Sequence, residues 1–110
     1  MTIEYIRYKV SPEQREAFIQ SYKNASEQLE SSEFCMAYEL TECEEEPCQF
    51  ILRIEWTSSE EHISGFRKSS VFPAFFANVK PFFDNIQEMR HYKLTEVVRK
   101  KQQRTANNGS

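Results

Sequence analysis

The side chains best suited to bind a small molecule stand where a predicted strand runs into a predicted helix. Trp56, the only tryptophan, ends a run in which every second residue from Phe50 onward is apolar. This is the pattern of a strand with one buried face. Ser58 and Glu61 have the spacing of a capping box, which predicts that a helix begins there. His62 lies in its first turns, and a neutral imidazole, with an ordinary pKa of about 6.5, can act as a base or a hydrogen-bond donor.

This junction predicts a pocket in which Trp56 forms a wall and His62 supplies the polar chemistry. Each residue also has a purely structural interpretation: core packing for Trp56, and a solvated, partly exposed position for His62. The nine phenylalanines, concentrated between residues 66 and 83, predict core packing first and the lining of an apolar pocket second. Arg90 and His91 are neighbours on the last predicted strand, so at most one of them faces the helices.

The sequence predicts neither a metal site nor a cofactor. Cys43 and Cys48 flank an acidic turn, but a zinc site needs about four ligands, and no second Cys or His pair stands nearby. The odd count of three cysteines favours free thiols. A reversible disulfide across the mouth of the hairpin is the alternative.

Composition and charge indicate one small domain with a basic tail. We expect residues 1–94 to form the domain and residues 95–110, which contain Arg99, Lys100, Lys101 and Arg104, to be disordered. The net charge is −3, so the body without this tail is acidic, which argues against a nucleic-acid surface. No apolar run approaches the roughly 18–20 residues of a membrane span, and the N-terminus lacks a signal-peptide pattern. We therefore expect a cytoplasmic protein with no membrane or nucleic-acid partner.

The periodicity predicts four strands and two helical regions. The first helix begins with Ser11 and Pro12 and carries one apolar stripe. The second helical region follows Ser58 and restarts at Pro73. The predicted strands are 3–10, 34–40, 50–57 and 85–94. Strand 34–40 would carry Phe34, Met36, Tyr38 and Leu40 on one face, and strand 85–94 would carry Ile86, Glu88, Arg90 and Tyr92 on one face. The apolar stripe of the first helix is Phe18, Tyr22, Ala25 and Leu29, and the stripe of the second helical region begins with Ile63 and Phe66.

This order predicts an α+β protein of the ferredoxin-like βαββαβ plan, with one antiparallel sheet and both helices on one face. The other face would carry Ala37, Ile51, Arg53 and Glu55. This mixture is too apolar for open water and too polar for a sealed core. A second copy of the sheet could cover it, so we expect a homodimer.

Several motifs are similar to those of the antibiotic biosynthesis monooxygenase family. They are the run 35–40, the acidic turn containing Pro47, the strand end at Glu55 and Trp56, and the phenylalanine-rich stretch from Phe66 to Val79. The resemblance covers roughly residues 3–94. It implies a dimeric α+β barrel. It also implies enzymes that oxidise quinols and polycyclic phenols with O2 and without a cofactor, with relatives that degrade haem or handle small signalling molecules.

The resemblance transfers to individual residues only in part. Trp56 matches the family tryptophan, whereas Leu52 and His62 stand where the phenol oxidisers have Asn and Tyr. Arg90 is the counterpart of an arginine typical of the last strand. Ile6 and Phe66 occupy the positions at which the haem-degrading branch has its Asn and its axial His. We therefore expect no haem, unless His62 replaces the ligand.

The resemblance thus implies a monooxygenase that acts on a small aromatic or quinol-like molecule with O2. His62 would be the base, Arg90 would stabilise the substrate anion, and Trp56 would form the apolar wall. A non-catalytic dimer that binds a small hydrophobic ligand, or an accessory module for another protein, is the alternative. The expected pocket residues are Leu52, Phe66, Phe72, Phe76 and Tyr38.

Overall fold

The computed structural model describes residues 1–101 and has the predicted α+β architecture. A single four-stranded antiparallel sheet has the order β2-β3-β1-β4. The helices pack on one of its faces, and the sheet is open within one chain. The expected tail lies mostly outside the described residues, and residues 95–101 carry no helix or strand. The elements are β1 (Thr2–Lys9), α1 (Arg15–Ser31), β2 (Cys35–Glu42), β3 (Gln49–Trp56), α2 (Phe72–Val79) and β4 (Ile86–Lys93).

Helix α1 confirms the capping and stripe predictions. The Ser11 backbone N–H donates to Gln14 Oε1 at 3.1 Å, and a short 3₁₀ turn, Pro12–Gln14, leads into the helix. The helix ends at Ser31, at the predicted serine pair. Its buried residues are Phe18, Tyr22, Ala25 and Leu29, the predicted stripe.

Strand β3 also follows its predicted alternation, because Phe50, Leu52, Ile54 and Trp56 are all buried against the helices. The alternation predicted for β2 is wrong at its start. A bulge between Cys35 and Ala37 pairs Cys35 with Trp56. Cys35 therefore packs against the core, and Met36 is 56% exposed. A bulge inserts one residue and moves the following side chains to the opposite face.

The face predicted for the start of β4 is wrong as well, because this strand contains a second bulge. Ile86 pairs with Tyr8 whereas Glu88 pairs with Arg7, so the register shifts between these two pairs. Ile86 consequently packs against the core rather than sharing a face with Arg90. Periodicity cannot reveal an inserted residue, and both errors have this origin.

The segment that connects β3 to α2 begins with the predicted cap, since the Glu61 N–H donates to Ser58 Oγ at 3.0 Å. It then winds as a π-helix over Glu61–Phe66, with the Arg67 N–H bonded to the His62 carbonyl at 3.2 Å. Gly65 fits closely here, because a Cβ at this position would lie 2.7 Å from the Phe34 ring and the ring would have to shift. The winding buries His62 with Phe66 and leaves Ile63 exposed, so the predicted stripe through Ile63 is wrong.

The sheet face away from the helices carries exposed aromatic and aliphatic side chains between charged ones. Tyr5, Ile51 and Tyr92 are each more than a third exposed there, and Arg53 forms an ion pair with Glu55 at 2.7 Å. A homodimer that covers this face stays a prediction. None of the helices within residues 1–101 has the length and apolar character needed to cross a membrane.

Candidate functional site

A cavity of about 460 Å³ lies between the sheet and the helical cover. Strands β1, β3 and β4 form its floor, and the π-helical segment and α2 form its roof. Its walls are largely aromatic and aliphatic. The lining residues are Glu4, Ile6, Tyr8, Tyr22, Ile54, Trp56, His62, Phe66, Arg67, Phe72, Phe75, Phe76, Val79, Phe83, Ile86 and Met89.

A buried carboxylate forms the polar end of this cavity. Glu4 alternates with Ile6 and Tyr8 along β1, so its side chain points toward the helices although it carries an ionisable carboxyl group. Only 2% of its surface is exposed. The Trp56 indole Nε1–H donates to Glu4 Oε1 at 3.0 Å. The tryptophan is therefore both a wall of the cavity and the hydrogen-bond donor that holds the carboxylate.

His62 lies beside this carboxylate, stacked on the tryptophan. The ring centroids of His62 and Trp56 are 4.3 Å apart with an interplanar angle of 12°. His62 Nε2 is 3.5 Å from Glu4 Oε1. The residue is only 4% exposed. The expectation of a partly exposed first-turn histidine is wrong, because the π-helical winding turns this side chain inward against Trp56.

His91 completes a group of three side chains, which we call the Glu4–His62–His91 cluster. It is the cross-strand partner of Glu4 on β4. Its Nε2 lies 2.8 Å from His62 Nδ1 and 3.7 Å from Glu4 Oε2. Its side chain is 28% exposed, so the cluster reaches from the buried carboxylate to the surface.

Burial shifts the pKa values of Glu4 and His62. It raises the pKa of Glu4, against the opposing effects of the Trp56 hydrogen bond and of the nearby His91 and Arg67 side chains. Burial also lowers the pKa of His62 to about 3, assisted by Arg67 and His91. His62 is therefore neutral at physiological pH. A ring with so low a pKa is a weak acceptor for a phenol proton, which argues against the predicted role of His62 as base.

The hydrogen bonds fit one tautomer arrangement. Because His62 is neutral, only one of its ring nitrogens carries a proton. If His91 Nε2–H donates to His62 Nδ1, the His62 proton lies on Nε2 and faces the Glu4 carboxylate. In this arrangement each contact of His62 places an N–H opposite a lone pair, so no two lone pairs face each other.

Two further polar features border the cavity. The hydroxyl groups of Tyr8 and Tyr22 are hydrogen-bonded to each other on its inner wall. Burial raises the pKa of Tyr8 to about 12 and raises that of Tyr22 as well, so both phenols stay protonated. Arg67, which follows the π-helical segment, is exposed and adds a positive charge to the lining.

The comparison with protein families agrees with this architecture. The family model described as antibiotic biosynthesis monooxygenase matches residues 1–78 of the chain. The chain belongs to the antibiotic biosynthesis monooxygenase family. The matched region contains β1 to β3, the π-helical segment and most of α2, and hence Glu4, Trp56 and His62, but not β4 with His91.

One sequence relative and several solved structures resemble this family member at low identity. The uncharacterized protein YczJ of Bacillus subtilis (strain 168) is 25% identical over 75 residues, which span 68% of this chain and 79% of YczJ. A conserved protein from Methanosarcina mazei Go1 superposes with a TM-score of 0.72 at 20% identity, covering 86% of this chain and 92% of that one. A candidate antibiotic biosynthesis monooxygenase from Bordetella bronchiseptica gives a TM-score of 0.69 at 20% identity, covering 86% and 96% of the two chains.

The structure brings together some of the predicted site residues of this family member and separates others. Trp56, His62, Phe66, Phe72 and Phe76 all line the cavity. The remaining predicted residues lie elsewhere. Leu52 and Tyr38 border a separate hollow of about 270 Å³ beside α1, and Arg90 lies on the opposite face of the sheet, 67% exposed and paired with Glu88 at 2.8 Å.

Sequence reasoning missed Glu4, the residue on which the polar end is built. The signal was present, because Glu4 interrupts the apolar side of an alternation that continues through Ile6 and Tyr8. A charged residue on the buried face of a strand has a specific partner or a function. His91 could be placed on one of two faces but not assigned to either without the register of β4.

Proposed function

We propose that this protein is a monooxygenase that oxidises a small phenolic or quinol-like aromatic molecule with O2 inside the cavity. Family membership supports the reaction class. The observation that carries the proposal is the shape of the site: an apolar cavity of about 460 Å³ whose inner end holds one buried carboxylate. Small-molecule sites typically have volumes of about 300–1,000 Å³ and a few convergent polar groups.

The lining suits a flat aromatic ring. Phe66 and Phe72 meet edge to face with centroids 5.6 Å apart, and Phe72 and Phe76 are 5.8 Å apart. A bound ring would pack against this group through the same offset and edge contacts that aromatic side chains make with one another. Its hydroxyl group would be directed toward the polar end of the cavity, where the Glu4 carboxyl group can accept a hydrogen bond.

The Glu4 carboxylate takes over the acceptor role first assigned to His62. Trp56 occupies Oε1, which leaves Oε2 to accept a hydrogen bond from a substrate hydroxyl and to draw its proton. The electron-rich phenolate then reduces O2. One oxygen atom replaces a hydrogen on a ring carbon, and the other leaves as water with two hydrogens taken from the substrate. The ring is thereby oxidised to a quinone, so the substrate itself supplies the four electrons that reduce O2. Arg67 replaces Arg90 as the cation beside the developing anion.

The proposal is tested by O2 consumption with a panel of hydroquinones and naphthols. The wild-type protein should consume O2 with at least one of them. Glu4→Gln keeps the size and the acceptor for Trp56 but removes the charge, and the rate should fall by roughly 100- to 10,000-fold, as for a lost general base. Glu27→Gln, an exposed helical carboxylate, is the matched control and should keep the wild-type rate.

A protein that binds these compounds without consuming O2 would support the alternative, a non-catalytic carrier of a hydrophobic ligand. Tryptophan fluorescence reports such binding, because Trp56 is the only tryptophan and lines the cavity. Absence of O2 uptake across the panel would count against the proposed reaction even if binding is seen.

A further inference from the structure

We propose that Glu4, His62 and His91 form a binding site for a divalent first-row transition-metal ion. This inference goes beyond the proposed function, because metal binding needs no substrate. It also revises the expectation of a protein without a metal site.

The three potential ligands converge from separate parts of the fold. Glu4 comes from β1, His91 from the neighbouring position on β4, and His62 from the π-helical segment above them. One candidate ligand atom from each side chain lies within 4.8 Å of the others. π-Helical turns are rare and frequently occur at functional sites, where they re-aim a side chain. Here the π-helical turn directs His62 into the cluster.

The separations are close to those that a bound ion requires. Metal–ligand bonds of about 2.0–2.2 Å in tetrahedral or octahedral geometry place neighbouring donors roughly 3.0–3.5 Å apart. His62 Nδ1 and His91 Nε2 are 2.8 Å apart, and His91 Nε2 is 3.7 Å from Glu4 Oε2. Small rotations of the side chains would therefore accommodate the ion. The hydrogen bond between the two imidazoles would be replaced by two bonds to metal.

Charge compensation favours a cation at this position. Within residues 1–101, the basic side chains that approach the Glu4 carboxyl group within 4.0 Å are the two histidines alone. Glu4 is thus a carboxyl group that is only 2% exposed and has no Lys or Arg side chain of the described residues within that distance. An isolated buried charge is costly, and coordination to a metal is one of the ways in which proteins offset it.

The ligand types point to zinc or ferrous iron rather than magnesium or calcium. Imidazole nitrogens suit Zn, Fe, Cu and Ni, whereas Mg²⁺ and Ca²⁺ prefer oxygen ligands. Two histidines and one carboxylate leave coordination positions open, as in catalytic zinc sites and non-haem iron oxygenases. Trp56 would not coordinate the ion itself, but its hydrogen bond to Glu4 Oε1 would orient the carboxylate ligand.

The site is accessible from two sides. Glu4 and His62 line the cavity, so the open coordination positions would face a bound molecule. His91 is partly exposed and provides a route for the ion from the surface. With an ion bound, Glu4 is a ligand, and a substrate hydroxyl would meet the ion rather than the carboxylate.

The test is a Co²⁺ titration of the chelator-treated full chain, followed by visible absorption. The d–d bands of Co²⁺ bound to nitrogen and oxygen ligands should appear and saturate at one ion per chain. His91→Gln and Glu4→Gln should each weaken the apparent affinity at least about 100-fold, because even partners outside the coordination shell are worth 10–100-fold. Far-UV circular dichroism verifies that both variants are folded.

Two controls separate this site from other metal-binding groups. Cys43 is an exposed thiol, so Cys43→Ser should leave the Co²⁺ spectrum unchanged. Glu27→Gln should do the same. A wild-type titration without saturable d–d bands, or folded His91→Gln and Glu4→Gln variants that bind as the wild type does, would overturn the proposal.

The metal result and the O2 result can be distinguished. Co²⁺ binding without O2 uptake supports the metal site and counts against the proposed reaction. O2 uptake that survives chelation, together with the absence of Co²⁺ binding, overturns the metal site and leaves the proposed reaction standing.

Discussion

The hydrogen bond between Trp56 and Glu4 should be the most strongly coupled interaction at the polar end of the cavity. Trp56→Phe removes the Nε1–H that donates to Glu4 Oε1 at 3.0 Å and leaves a carboxylate that is only 2% exposed without this donor. A hydrogen bond to a charged group contributes about 1.5–3 kcal/mol. The smaller ring also loses part of its stack on His62, which adds about 1 kcal/mol. The free energy of unfolding should therefore fall by about 2.5–4 kcal/mol.

A double-mutant cycle isolates the hydrogen bond. In a Glu4→Met background the donor has no acceptor, so Trp56→Phe should cost only the packing part, about 1 kcal/mol. The coupling energy between the two positions should be about 1.5–3 kcal/mol. Urea unfolding followed by far-UV circular dichroism measures all four proteins, at one protein concentration so that any association affects them equally.

Phe66→Leu is the matched control for this cycle. Phe66 packs against Trp56 with ring centroids 4.9 Å apart but makes no hydrogen bond to Glu4. Its cost should be the same with Glu4 and with Met at position 4. A Trp56–Glu4 coupling below about 0.5 kcal/mol, the limit for independent sites, would refute the assignment of the indole as the group that holds the carboxylate.

The remaining predictions concern His62, Gly65, the assembly and haem. His62→Gln should lower the free energy of unfolding by about 1–3 kcal/mol, as for a buried, stacked residue; a change near zero in urea unfolding would indicate a surface position. Gly65→Ala should destabilise by about 1–3 kcal/mol through overpacking against Phe34, and Phe34→Leu should recover part of this loss in the double variant, which thermal unfolding can show. Light scattering should give twice the 13.1 kDa chain mass, because a second sheet would cover Ile51 and its neighbours; a monomer mass would contradict the barrel. Added hemin should show no Soret shift that depends on His62, since both ring nitrogens are directed at Glu4 and His91; a stoichiometric spectrum abolished by His62→Ala would contradict this.

Most of the fold could be predicted from the sequence, because the patterns that specify its strands and helices involve residues close together in the chain. The alternation from Phe50 to Trp56 and the Ser11 cap specify a strand and a helix start through side chains that are close in the chain. The bulges at Cys35 and Ile86 are not local in this sense, since an inserted residue is defined by its pairing with another strand. The π-helical winding likewise depends on the close approach of Gly65 to Phe34, which lies far away in sequence.

The site was predictable only in part for the same reason. Trp56 could be placed at a cavity wall from its own strand, and the phenylalanines followed from their helical spacing. The burial of His62 depends on stacking against Trp56 and on a contact with His91, a residue 29 positions later in the chain. Glu4 could have been identified from the alternation of β1. Its partners Trp56 and His91 could not, because they are brought beside it only by the pairing of β1 with β3 and β4.

The central claim is tested most directly by following isotopic oxygen through the reaction. The wild-type protein would be incubated under ¹⁸O₂ with the quinol or naphthol that gives the fastest O2 uptake, and the product would be analysed by mass spectrometry. The account predicts one labelled oxygen atom in the product, and a product yield that falls with Glu4→Gln but not with Glu27→Gln. A product that carries no label, or whose formation is unaffected by Glu4→Gln, would contradict it.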